Sequence, residues 1–236
     1  MDSLQEVQLQ SALRAKSTDE LFASILKVAN ELEFDHCAYG IRVPLPITAP
    51  KIQLINNYPE SWQKRYEEQN YLAFDPTVAH ALRSTSAMIW ADKTSSSCSP
   101  FWEDAHSHGL QVGLAQPCHS DYGVAGLLTL ARSHNNISYN ELFEHSSKIY
   151  WMAQIAHQGM ASLLVPQMMP EIKVELSIRE IEVLRWTSDG KTSAEISDLM
   201  NISERTVNFH IGNAARKLNS KNKVAAAVKA IMLGLL

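Results

Sequence analysis

LSIREIEVLRWTSDGKTSAEISDLMNISERTVNFHIGNAARKLNSKNKVAAAVKAIMLGLL, residues 176–236, decides how this chain is organised. Four helices follow one another, each with its own start signal. Ser177 with Glu180 three residues on forms a capping box, in which two free amides at the helix start are satisfied reciprocally; Thr192 with Glu195 forms a second. Ser203 and Asn222 are N-cap residues for the third and fourth helices. Gly190 and Asn201 stand where the first two should stop, in left-handed C-caps.

The third helix carries the information about function. Val207, Ile211, Ala214 and Leu218 form one apolar stripe at helical spacing. The opposite face holds Arg205, Phe209, Gly212 and Arg216, flanked by Asn208 and Asn213. No acidic residue follows Glu204, whereas Arg205, Arg216, Lys217, Lys221, Lys223 and Lys229 do. One buried face, one Arg- and Asn-bearing face and trailing basic residues suit a DNA major groove, with Lys and Arg on phosphates and Asn or Arg on base edges. By pattern alone, an ordinary small helical domain with a solvated face is the competing reading.

The stretch resembles the C-terminal helix-turn-helix domain of the LuxR family of transcription regulators over its whole length. Glu180, Leu184 and Gly190 fall on the family's core glutamate, leucine and glycine. The resemblance implies a third helix that enters the major groove, through Arg205, Thr206, Asn208, Phe209, Arg216 and Lys217, and a fourth that often helps form a dimer. Gly212 departs from relatives that use a basic base-contacting residue there.

The remainder of the 236 residues is enough for about one further domain. Charge is divided unevenly: ten basic and eight acidic residues from Glu171 onward, eleven and seventeen before it. The basic surface is thus confined to the end assigned to DNA. Cys37, Cys98 and Cys118 show no metal-ligand spacing, and a sparse, odd count suits a reducing cytoplasm. No signal peptide or long apolar span is expected, and so no membrane partner.

From the beginning, residues 4–15 read as a short helix and Thr18 opens an amphipathic one with Leu21, Phe22, Ile25, Ala29 and Leu32 on one face. Strands are expected over 36–43, 51–58, 87–90, 113–120 and 125–132, with Pro117 placing the fourth on an edge or at its end. Helices are expected after Pro59, after Pro76 and from Ser99-Pro100. Ser138 with Glu141 opens a long helix, whose Leu142, Ile149, Ala153, Ala156, Met160 and Leu163 bury one side against the sheet or a partner copy. PQMMPEIKVE, residues 166–175, has two prolines and no period, and reads as a linker. The fold class is therefore α+β: an N-terminal α-β-α sandwich (1–165), the linker (166–175) and a C-terminal four-helix helix-turn-helix domain (176–236).

Tyr58, Trp62 and Tyr66 recur every four residues, followed by Asp75-Pro76-Thr77 and Trp90. On spacing alone such aromatics serve a core equally well, and Asp before Pro reads as an N-cap. In this order, however, they are similar to the ligand-binding domain of LuxR-family quorum-sensing receptors. That resemblance implies a site for an N-acyl-homoserine lactone, as signal ligand rather than cofactor. Trp62 only donates, so it suits the lactone carbonyl; ionised Asp75 only accepts, so it suits the amide N–H. Tyr58, with Thr129 as a second hydroxyl, suits the amide carbonyl, and Tyr66 and Trp90 provide flat walls. Gln63 stands where some members have arginine, and Arg42 replaces an apolar residue near the acyl tail or else points out of the sheet.

The expectation is a cytoplasmic, ligand-dependent transcription regulator that forms a homodimer on double-stranded DNA, with RNA polymerase as a partner if it activates. A regulator of the same fold that answers another signal, or none, is the rival among binding proteins. An acyl-lactone hydrolase is the enzymatic rival, but no GxSxG elbow or His-rich metal motif is present and the nine histidines are scattered.

Overall fold

The computed structural model describes residues 13–90, 100–134 and 137–236. Most of the helix expected over 4–15, the Ser99 cap and the Leu142 side chain fall outside the described residues. The chain divides into two compact units.

The first begins with α1 (Thr18–Glu31), whose N-cap Ser17 accepts from the Glu20 N–H. Then come β1 (His36–Val43), β2 (Lys51–Asn56), α2 (Glu60–Glu68), α3 (Pro76–Ala81) and β3 (Met88–Trp90). α4 (Pro100–Ser107), β4 (Val112–Ser120), β5 (Val124–Arg132) and α5 (Tyr139–Met168) complete the series. The five strands form one antiparallel sheet in the order β2-β1-β5-β4-β3. Because β3 pairs only with Gly113–Ala115, Pro117 faces Leu127 of β5 on one side and no strand on the other among the described residues. Its missing N–H therefore costs no ladder bond there.

Strict alternation along β1 gives the sheet two different faces. Tyr39, Ile41 and Val43 are buried, and the Tyr39 hydroxyl meets His157 of α5 at 2.7 Å. Ala38, Gly40 and Arg42 face the other way. The buried side of α5 includes Ile149, Ala153, Ala156 and Met160, as the spacing predicts, whereas Leu163 is half-buried and Leu164 buried. Arg132, at the end of β5, is fully buried and pairs in a fork with Glu141 at 2.7 and 3.0 Å. Glu141 is also the return partner of Ser138 in the expected capping box, so one carboxylate fixes both the start of α5 and its approach to the sheet. α5 runs helically past Pro166 to Met168, and a 3₁₀ turn follows over Pro170–Lys173.

The second unit contains α6 (Ile178–Ser188), α7 (Ser193–Met200), α8 (Glu204–Lys217) and α9 (Lys223–Met232). Both expected capping boxes form, and Ser203 and Asn222 cap α8 and α9. Gly190 and Asn201 adopt φ of +82° and +52°. Val207, Ile211, Ala214 and Leu218 are all buried, and Val207 and Ile211 pack with Val183 and Ile196. No helix among the described residues is long and apolar enough to cross a membrane.

Candidate ligand cavity and nucleic-acid face

A cavity of about 280 Å³ lies on the Ala38–Gly40–Arg42 face of the sheet, between it and the helices α2, α3 and α4. Tyr58, Trp62, Tyr66, Asp75, Trp90 and Thr129 all line it. They come from two strands, α2 and two connections, up to 71 residues apart in sequence for the Tyr58–Thr129 pair, whose hydroxyls are bonded at 3.0 Å.

Asp75 is the polar centre of this space. Its Oδ1 accepts from the Thr77 N–H at 2.8 Å and the Thr77 hydroxyl at 2.7 Å, so it caps α3. Its Oδ2 accepts from the Tyr66 hydroxyl at 2.9 Å. Burial pushes the carboxyl above its ordinary value, and the bonds from Thr77 and Tyr66 offset part of that rise. Burial likewise raises the pKa of the Tyr58 and Tyr66 phenols, which stay protonated donors.

Trp62, 3% exposed, stacks on Tyr71 at 5.8 Å and meets Tyr66 and Phe101 edge-on. Its indole N–H has no acceptor among the described residues. Trp90 stacks on Trp102 at 5.6 Å. It is also the register partner of Gly113, where a Cβ would sit 2.2 Å from the Trp90 ring. Only glycine lets that indole lie against β4. Phe101 and Trp102 are cavity-wall residues that reading the sequence missed, and it also missed Tyr71, which packs behind Trp62; Phe101 and Trp102 belong to the buried side of α4 and look like ordinary core from spacing. Asp104 was also missed. It accepts from Arg65 at 2.6 Å and Tyr71 at 2.5 Å, tying α2 and the Tyr71 ring to α4 behind Trp62. Hydrogen bonds from Tyr71 and Arg65 hold the Asp104 carboxyl below its ordinary range. Gln63 donates to the Tyr58 carbonyl at 2.8 Å. Arg42 points into the cavity, not away from it.

In α8, Arg205, Asn208, Phe209 and Arg216 are exposed on one side, and Thr206 is half-buried. Phe209 keeps 62% of its surface open, an unusual position for a phenylalanine outside a contact surface. Asn208 accepts from the Ser193 hydroxyl and Asn213 from Arg216. Two lysines that follow Glu204 are also engaged inside the unit. Lys217 pairs with buried Glu180 at 2.8 Å. Lys229 donates to the carbonyls of Leu218 and Asn219 at the end of α8.

An apolar cavity centred on a buried carboxylate, together with a capped helix-turn-helix bearing an exposed basic face, defines a ligand-responsive DNA-binding regulator. Comparison with known proteins agrees. Residues 17–160 match the autoinducer binding domain, and residues 174–230 match the luxR family of bacterial regulatory proteins. The chain is 44% identical to the transcriptional activator protein AnoR of Acinetobacter nosocomialis, over 100% of both. It is 38% identical to the quorum-sensing regulator RhlR of Pseudomonas aeruginosa, over 92% of this chain and 89% of that one. Among solved structures, SdiA of Escherichia coli in complex with octanoyl-rac-glycerol superposes with a TM-score of 0.83 at 33% identity, over 100% of this chain and 97% of that one. The chain belongs to the LuxR family of bacterial regulatory proteins. It is a ligand-dependent transcription regulator of the quorum-sensing type and not an enzyme.

Proposed function

We propose that the signal is an N-acyl-homoserine lactone held by Tyr58, Trp62, Tyr66, Asp75, Trp90 and Thr129, and that the liganded protein acts in the cytoplasm as a homodimer on promoter DNA. Residues 1–165 form the receptor domain, 166–175 the linker and 176–236 the DNA-binding domain. The observation that carries this reading is the convergence of those six side chains on one cavity, with a buried carboxylate whose oxygens serve two tasks. The Trp62 N–H meets the lactone carbonyl, Asp75 accepts the amide N–H, and the Tyr58 hydroxyl, with Thr129 behind it, meets the amide carbonyl. Closing apolar residues around the tail stabilises the receptor domain by mass action.

Arg205, Thr206, Asn208, Phe209 and Arg216 meet the major groove, the Arg residues on phosphate and Asn208 on a base edge. Lys217 reaches phosphate only by leaving Glu180. The outer side of α5 exposes Phe143, Tyr150 and Trp151, an apolar face suited to a second copy.

The test is to express the protein with a mixture of acyl-lactones and octanoylglycerol, then extract and identify what it retains. Retention of one lactone at about one per chain, and a dimer on size exclusion, are expected. Retention of the glyceride alone would assign the cavity to acyl esters, as the SdiA complex illustrates for that protein.

A further inference from the structure

The register of the sheet builds a trough with a defined far end. Thr129 of β5 pairs with Ala38 of β1, Leu127 with Gly40, and Ala125 with Arg42. Ala38 and Gly40 are small, so the floor is low; a Cβ on Gly40 would come within 2.9 Å of Leu54 on β2. Arg42 ends the row. It is half-buried, lines the cavity and has no acceptor among the described residues. Its apolar stem can lie along a bound tail, whereas its guanidinium must keep water or another acceptor.

We infer that Arg42 is a specificity-determining residue that sets the length of acyl tail this receptor accepts. The inference rests on the acyl-lactone reading of the cavity. The Thr129 row takes the amide carbonyl, and the Arg42 row lies four residues further along β1, roughly 13 Å at about 3.3 Å per residue. An extended hydrocarbon advances ~1.25 Å per carbon, given single bonds of ~1.5 Å at near-tetrahedral angles, so a tail of about ten carbons spans that distance. A longer apolar tail must press against an ionised guanidinium that no carboxylate neutralises among the described residues, and that group cannot shed its charge. Tails short of the limit leave the guanidinium hydrated.

The experiment is a dose response of the full chain to acyl-lactones with tails of about four to fourteen carbons. It compares the parent with Arg42→Met, which keeps the stem and removes the charge, and Arg42→Lys, which keeps a charge. The readout is the ratio of half-saturating concentrations for the longest and the eight-carbon tails, taken within each protein so that differences in yield cancel. The parent and Arg42→Lys should disfavour the long tail by about tenfold or more, and Arg42→Met should bring the ratio to about one. An Arg42→Met profile that follows the parent's overturns the inference while leaving the cavity's ligand class intact. A parent that answers no acyl-lactone of any length overturns the ligand class itself.

Discussion

Tyr66 donates its hydroxyl to Oδ2 of Asp75 at 2.9 Å, while Oδ1 of the same carboxylate caps α3 through Thr77. In the proposed complex, fold and recognition thus share one side chain but not one atom. Asp75→Asn keeps an oxygen for Thr77 and replaces the other oxygen with NH₂, toward which the Tyr66 hydroxyl can turn as acceptor. The free protein should therefore melt close to the parent, since Asn caps about as well as Asp. The lactone response should still weaken by about tenfold or more, because a charge-assisted acceptor worth about 1.5–3 kcal/mol is lost. Asp75→Ala should lower both, with about 1 kcal/mol of stability lost through the cap. Melting curves and ligand titrations of the two variants decide this. Parent-like binding by Asp75→Asn would reduce Asp75 to a cap.

Arg216 and Lys217 are neighbours in sequence with different duties. The Lys217 ammonium answers Glu180, a carboxylate only 5% exposed. Burial raises that carboxyl's pKa, but Lys217 and the Ser177 N–H outweigh it and hold the group ionised. Lys217→Ala strands this charge and should cost about 1–3 kcal/mol of stability. Arg216 is exposed and, among the described residues, bonds only Asn213. Arg216→Ala should leave melting unchanged, weaken binding to all DNA sequences and reduce the salt slope by about one. Equal melting of the two variants would refute the division.

The C-terminal unit was almost wholly legible because its signals are local. Ser177, Thr192, Ser203 and Asn222 cap by contacts three residues away, and Val207 to Leu218 repeat at helical period. What escaped was long-range. Nothing near Lys217 in sequence announces Glu180, 37 residues earlier, and the Arg132 partner depends on how α5 returns to the sheet. In the first unit the strands could be placed, and the family resemblance gathered the six cavity residues. The second ring of Tyr71, Phe101, Trp102 and Asp104 could not be read, since aromatic residues on a buried helix side look the same whether they wall a cavity or fill a core. The direction of Arg42 was equally hidden. A strand's alternation gives two faces but not which of them is hollow.

Gly113 offers a test of the cavity wall that touches no proposed polar contact. A Cβ there would fall 2.2 Å from the Trp90 ring and 2.4 Å from the Leu130 carbonyl, and the latter is backbone that cannot yield. Gly113→Ala should therefore push Trp90 off the strand and cost about 1–3 kcal/mol, as overpacking does. Ligand titration should show weakened binding alongside the lower melting temperature, because Trp90 no longer closes its side of the cavity. Parent-like melting would mean that the sheet accommodates the methyl and that the Trp90 stack on Trp102 is loose.

The opposite face of the sheet carries a pH-sensitive group. His157 is buried on α5 with the Tyr39 hydroxyl at 2.7 Å from Nδ1, and its Nε2 has no partner among the described residues. Burial, helped by repulsion from His119, lowers its pKa from 6.5 to about 4. The folded protein therefore binds fewer protons than the unfolded chain between those values. Stability from this group is complete above pH 6.5, declines as pH falls, and reaches its full loss, on the order of 3 kcal/mol, below about pH 4. Asp75 works in the other direction: its raised pKa gives the folded state extra proton affinity, so stability rises as pH falls through that raised value toward 3.8. The two are separable by mutation. His157→Gln can still bond Tyr39 but does not titrate, so its melting temperature should fall less than the parent's between pH 6.5 and about pH 4. Asp75→Asn should fall more than the parent, since the opposing group is gone. Parallel curves for His157→Gln and the parent would show that His157 is protonated in the fold at no cost, and that burial does not keep it neutral.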